Sequence, residues 1–197
     1  NPISSAVVIR IVSGFGPSAV AAAGVVGRIE MFAFMIPMTV GMSMVPFVAQ
    51  NFGARRFDRI RTVRRGAMLF AVGVGGVIAA VLFFAARPLG GLFSSDPEVI
   101  DVLTRYLRIT CLGYGLLEAH RYAGFCLTGI HRPLSSAVLN AIRVIVLLIP
   151  LVYLGAGWVG LSGIFWGRLV SDLVSGLVGI FWTGKVIGAL SRRPAFS

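Results

Sequence analysis

Charge is what this chain has least of. Only 13% of its 197 residues are Asp, Glu, Lys or Arg, about half the share of a typical soluble domain. Acids are scarcer still: seven, against 18 basic residues, for a formal net charge of +11. Two cysteines, Cys111 and Cys126, sit in apolar stretches; they exclude a disulfide framework and read as small packing residues. Two histidines, His120 and His131, give no zinc-ligand spacing, so no resident metal is expected. Enzyme signatures are missing as well. There is no aspartate-rich diphosphate site, no His-Glu-x-x-His or His-x-x-Glu-His, no phosphate-cradling glycine loop ending in Lys-Ser/Thr, and no Gly-x-Ser-x-Gly elbow. These absences argue against an enzyme and against any cofactor.

Apolar surface is what the chain has instead. It is 57% hydrophobic with a mean hydropathy of +0.90. A soluble fold of this size could not hide so much apolar surface. Apolar runs of about 20 residues recur, the length that crosses a bilayer's hydrocarbon core. The reading is an all-α, polytopic membrane bundle, with the lipid bilayer as its first partner. Nucleic acid is excluded despite the charge, because the surplus lies in short loops and no aromatic-basic platform accompanies it.

The expected spans are 1–16, 19–49, 66–86, 105–128, 134–154 and 159–187. The first is too short to cross and the chain does not begin with Met, so a truncated helix is expected. It closes at Ser13-Gly-Phe-Gly-Pro17, and Arg10 within it is expected to snorkel to the interface. The second span, at 1.5 Å per residue, would reach roughly 45 Å, so it must tilt, bend or protrude, with Pro37 and Pro46 as bending points. In the third, Gly73, Gly75 and Gly76 suggest close helix packing. Residues 53–65 and 87–101 read as connectors. Asp96-Pro97-Glu98 is a helix start, with Asp96 as N-cap or, one residue earlier, Ser95 and Glu98 as a capping box. Gly155-Ala-Gly157 reads as the turn into the last span.

Six arginines crowd eleven positions after the second span: Arg55, Arg56, Arg59, Arg61, Arg64 and Arg65. Such a collar marks the cytoplasmic side. Counting spans puts Arg132, Lys185, Arg192 and Arg193 on the same side, ten basic residues in all, with the carboxyl terminus in the cytoplasm.

A charge within a span costs about 3 kcal/mol on insertion scales, so intramembrane acids are functional candidates. Three qualify: Glu30, Glu118 and Asp172. Glu118 lies mid-span with Tyr114 one turn before it and Arg121 three residues after it, all on one helix face. This group either exchanges a proton or a transient Na+ for an organic cation, or is a satisfied pair that fixes packing. Glu30 projects away from Arg28, so one of them should pair with another helix, for structure or for transport. Arg168 and Asp172 are four apart and expected to form a structural ion pair. Arg143 is a candidate partner for Glu118 or Glu30.

Several stretches resemble one transporter family. Phe15-Gly-Pro-Ser-Ala-Val-Ala-Ala-Ala-Gly-Val-Val-Gly-Arg-Ile-Glu-Met-Phe-Ala is similar to the seventh-to-eighth span entry of multidrug and toxic compound extrusion (MATE) transporters. Pro46-Phe-Val-Ala-Gln-Asn-Phe-Gly-Ala-Arg-Arg-Phe-Asp-Arg resembles the segment after their eighth span, with Gln50, Asn51, Gly53 and Ala54 as its most specific part. Tyr106-Leu-Arg-Ile, Gly129-Ile-His-Arg-Pro and Arg143 with Ile149-Pro-Leu add support. The likeness implies one six-helix lobe, spans seven to twelve with the seventh truncated, facing a missing amino-terminal lobe across a cleft. It implies export of cationic or amphipathic compounds in exchange for H+ or Na+ by alternating access, in a bacterial inner membrane. In the sodium-coupled branch a Tyr and an Asp one turn apart on the tenth span belong to the cation site. Tyr114 and Glu118 have that spacing, although aligning Leu127-Thr-Gly129 shifts the register by one residue. That branch's acid on the seventh span falls before Asn1 or at a position with no acid here. The aspartate of the proton-coupled branch belongs to the first span, outside this chain. A lipid-linked oligosaccharide flippase of the same superfamily, with Arg28, Arg121 and Arg143 binding phosphate, is the alternative; a non-transporting fragment or membrane scaffold is another.

Overall fold

The computed structural model describes residues 2–192, and the expectation for Arg193 lies outside them. The described residues are helical throughout, with no strand. Helix α1 spans Pro2–Val12 and α2 Pro17–Gly53; α3 is Phe57–Phe93, α4 Pro97–Thr110 and α5 Tyr114–Gly129. Helix α6 runs over Pro133–Val159 and α7 over Leu161–Ser191. Four of them, α2, α3, α6 and α7, are long and apolar enough to cross a membrane, with mean hydropathies of 1.8, 2.5, 2.3 and 1.6. Their outward faces carry Phe84, Leu92 and Trp158 at 78%, 79% and 83% exposure. Such side chains are at home against lipid rather than water.

The helices are longer, and the connectors shorter, than expected. The arginine collar is helical from Phe57, leaving Ala54–Arg56 as the turn. Helix α3 runs through Pro88 to Phe93, so the expected loop ahead of the Asp96-Pro97 helix start shrinks to residues 94–96. The start of α4 is as read: the Asp96 carboxylate accepts from the Glu98 N–H at 2.9 Å, and Pro97 opens the helix. The expected span 105–128 is two helices joined by a tight turn at Cys111–Gly113. Pro37 and Pro46 lie inside a continuous α2.

Gly155-Ala-Gly157 is not a turn. Helix α6 passes through it, and the chain reverses at Gly160, whose φ of 66° suits glycine. Gly155 instead lets α6 meet α7. A side chain on Gly155 or on Gly163 would overlap the other's backbone, and one on Gly167 would overlap Leu151. Among Gly73, Gly75 and Gly76, Gly75 alone makes such an approach, against Gly115 of α5. Small residues at crossings are how helices pack when no water drives them together.

Two apolar clusters lie at opposite ends of the bundle. One joins α1, the first half of α2 and α4 through Val26, Leu103, Leu107 and Phe165. The other joins the far half of α2, the start of α3 and α5 through Val48, Ile60, Ala123 and Leu127. In chain position the buried polar residues Glu118, Arg143, Ser171, Asp172 and Ser175 fall between them. The basic turns gather at one end: Phe52 contacts the rings of Phe57 and His131 at 6.0 and 5.7 Å, and Arg61 reaches Ser191. At the other end Ser18 donates to Glu98 at 2.9 Å and Arg87 to Asp101 at 3.4 Å.

Gly163→Ala should destabilise the purified protein by about 2 kcal/mol, the typical cost of overpacking. Gly157→Ala, which meets open space, should leave thermal unfolding in detergent unchanged; equal effects would refute the packing assignment.

Candidate functional site

Three acids within the spans stand on α2, α5 and α7, Glu118 and Asp172 buried and Glu30 half-buried, and each meets an arginine. Glu30 on α2 accepts both Oε1 and Oε2 contacts from the Arg168 guanidinium of α7, at 2.8 and 2.7 Å. Arg168 also donates to the Tyr106 hydroxyl at 2.6 Å. The Tyr114 hydroxyl donates to Glu30 Oε1 at 2.7 Å. Tyr106 is held by stacking on Phe165, with centroids 4.3 Å apart and planes 8° apart. One forked guanidinium therefore ties α2, α4 and α7 together, the arrangement for which Arg rather than Lys is suited.

The expected Arg168–Asp172 ion pair is present, with Arg168 Nε 3.9 Å from Asp172 Oδ2. It is the longer of two contacts. Arg143 donates from Nη2 and Nε to Asp172 Oδ1 at 2.6 and 3.1 Å. Arg143 is thus not the partner of Glu118 or Glu30, which corrects that expectation: helix spacing fixes the i,i+4 contact but does not show which helix supplies a second arginine. Arg143 opens a run of wide π-type turns over Ile142–Leu148 that ends just before Pro150. Proline cannot donate to the preceding turn, and a widened turn is a common accommodation at functional sites. Ser171 donates to the Arg143 carbonyl at 3.3 Å and closes the crossing.

Glu118 is wholly buried, and the Arg121 guanidinium of its own helix bonds Oε1. Oε2 has no partner. Arg121 lies over the Phe34 ring, 4.7 Å from its centroid, and the opposite neighbour of that ring is Tyr114 at 4.9 Å. The arginine side chain is 34% exposed and lines a cavity of about 420 Å³ with Met38, His120, Phe125 and Asn140. A second, smaller cavity of about 170 Å³ is lined by Glu30, Tyr106, Arg143 and Arg168 beneath α1.

Three acids and three arginines make the buried layer formally neutral. Arg28 is exposed and forms no salt bridge among the described residues. Gln50, Asn51, Gly53 and Ala54 stand apart from this layer, at the end of α2. The Gln50 carbonyl accepts from the Ala54 N–H at 3.0 Å, the Asn51 carbonyl from the Arg56 N–H at 2.8 Å, and Arg55 takes a φ of 57°. The Asn51 amide donates to the Phe47 carbonyl at 2.9 Å. These residues end a helix.

Comparison with known proteins decides the family. The MatE family model matches residues 1–154. The chain belongs to the MATE family. The FAD transporter of Shewanella oneidensis is 32% identical over 195 residues, which is 99% of this chain and 43% of that protein. The multidrug export protein MepA of Staphylococcus saprophyticus is 27% identical over 168 residues, 84% of this chain and 36% of its own length. Among solved structures, the Vibrio cholerae MATE transporter VcmN in its bent form superposes with a TM-score of 0.92 at 28% identity, covering 98% of this chain and 44% of that one. This MATE chain therefore spans less than half the length of these relatives, and its six-helix lobe corresponds to half of such a transporter.

Sequence reading missed Tyr106 as a partner of Arg168. Its signal was the Tyr-Leu-Arg-Ile run, which carried family likeness but no geometry. It missed too the bond from the Tyr122 hydroxyl to the Pro37 carbonyl, 2.7 Å long, that links α5 to the middle of α2.

Arg143→Met and Asp172→Leu should each destabilise the protein by about 3–5 kcal/mol, because each strands a buried charge. The double variant should recover much of that loss in a denaturation assay. Additive losses would show that the two residues do not act as a pair.

Proposed function

We propose that this lobe works as half of a secondary antiporter that exports cationic or amphipathic compounds in exchange for H+ or Na+ by alternating access. Glu118 is the coupling group. The observation that carries the reading is its position: wholly buried, one oxygen unpaired, the other held by an arginine that reaches a cavity wall. Of the three acids within the spans it alone is paired solely within its own helix. Breaking that pair leaves the helix-to-helix ties intact, so a proton, Na+ or organic cation can replace Arg121 at the carboxylate without unseating the bundle. Phe125 and Met38, which line that cavity with Arg121, offer a face and a soft sulfur that hold an aromatic cation. Tyr114, placed on Glu30, supports the site from below. Alternating access then requires an amino-terminal lobe across the cleft, as in transporters built from repeats. The membrane is the bacterial inner membrane, with the basic end and the carboxyl terminus in the cytoplasm.

A second reading has its own support. The neutral layer leaves no spare negative charge to attract a cation, Arg28 is exposed, and one relative is named an FAD transporter. An anionic, aromatic dinucleotide held beside Arg121 and Phe125 in the cavity they line would suit those facts. The flippase alternative is weaker, because Arg121 and Arg143 are each already bound to an acid.

The test is proteoliposomes holding this lobe joined to an amino-terminal partner lobe, loaded with a fluorescent organic cation or with FAD. Export of the cation should follow an imposed Na+ or H+ gradient, and Glu118→Gln should slow it by about tenfold or more, the factor that goes with a lost 1.4 kcal/mol. The lobe alone should not transport. Export untouched by the substitution would make Glu118 a packing residue, and export of FAD in place of the cation would favour the second reading.

A further inference from the structure

The end of the bundle that gathers the arginines holds a groove that the buried layer does not use. Arg64 leaves α3 toward α7 and donates from Nη1 to the Ile180 carbonyl at 3.3 Å. Its guanidinium lies against Gly184, 3.6–3.7 Å from where a side chain would begin, so the glycine makes the room. The Nε–H of Arg64 is buried and has no partner. Lys185 and Arg192 of α7 line the same groove, which has a volume of about 610 Å³ and a floor of Ile180, Phe181, Gly188 and Ala189.

Among the described residues, no acid lines this groove. Asp58, the acid of the adjoining collar, is taken by Arg61 at 3.3 Å. From Phe181 and Lys185 the surface continues along α7 into a second groove of about 450 Å³, lined by Val174, Leu177, Val178 and Trp182. That second groove points toward the middle of the span, away from the basic end. Three cations at the rim and an apolar track below them match one chemistry: a phosphodiester carrying acyl chains. Water alone solvates an exposed Lys185 or Arg192. It does not account for Arg64, which is tethered across to α7 with a donor left over.

We propose that the groove between α3 and α7 binds an anionic phospholipid of the leaflet at the basic end. Arg64, Lys185 and Arg192 hold the phosphate, and the acyl chains lie along Val174–Trp182. Anionic lipid attracts basic residues at a membrane surface, and here the bundle arranges three of them around one apolar track.

The test uses the purified chain in neutral detergent, titrated with phosphatidylglycerol or phosphatidylcholine and read by native mass spectrometry. The protein should retain phosphatidylglycerol with about tenfold preference, in line with the pull of an anionic headgroup on two to three cations. Lys185→Gln with Arg192→Gln, both exposed positions, should abolish the preference without changing thermal stability. Arg64→Lys, which keeps the charge but loses the fork, should weaken it. Millimolar inorganic phosphate should not displace the lipid. Equal retention of both lipids, an unchanged preference in the double variant, or displacement by inorganic phosphate would each overturn the proposal, the last by assigning the groove to free phosphate.

Discussion

The bundle depends on one guanidinium. Arg168 leaves α7 and closes on both oxygens of Glu30 on α2 while its remaining edge donates to Tyr106 on α4. In lipid, helices have little hydrophobic reason to choose one partner over another, so packing shape and polar contacts set the arrangement. Glycines let α6 and α7 approach closely, and the Glu30–Arg168 bond determines which side of α7 faces α2. Tyr114, donating to the same carboxylate, sets the start of α5 after the break at Cys111–Gly113. The break itself is what lets the chain change direction between α4 and α5 and deliver Tyr114 to Glu30.

The three buried acid–arginine pairs then divide by topology. Glu30–Arg168 and Asp172–Arg143 join different helices, so losing either would loosen a helix crossing. Glu118–Arg121 lies within α5 and closes no crossing. The transport role proposed for this lobe would need a rigid bundle and a group that can change partners without dissolving it; the division between inter-helical and intra-helical pairs is the feature on which that proposal rests.

How much of this was legible depended on how local each signal is. The Asp96-Pro97-Glu98 start could be read because a cap is settled by adjacent residues. The membrane class and the grouping of the basic turns with the end of α7 followed from composition and counting, and the six-helix lobe from the family resemblance. Gly155 and Gly157 were misread because a glycine that makes a turn and one that lets two helices touch look alike in sequence. The same limit applied to Pro88, which lies inside α3: bundle context keeps a proline-bearing helix intact where isolated sequence predicts a break. Pairing across helices was not legible for a further reason. Arg168 does meet the acid four residues on, at 3.9 Å, as local rules favour, but its shorter bonds go to Glu30, 138 residues away in sequence. Which helices adjoin decides such pairs, and no local pattern carries that.

The central claim is that the bond between Glu30 and Arg168 fixes α2 against α7. A double-mutant cycle measures it: Glu30→Gln, Arg168→Met and the pair, each followed by denaturant unfolding in the same detergent micelles. The account predicts that either single change is costly, that the double change costs much less than their sum, and that the interaction energy is about 2 kcal/mol. Additive losses, with no interaction energy between the two sites, would contradict it and leave glycine packing as the determinant of the bundle.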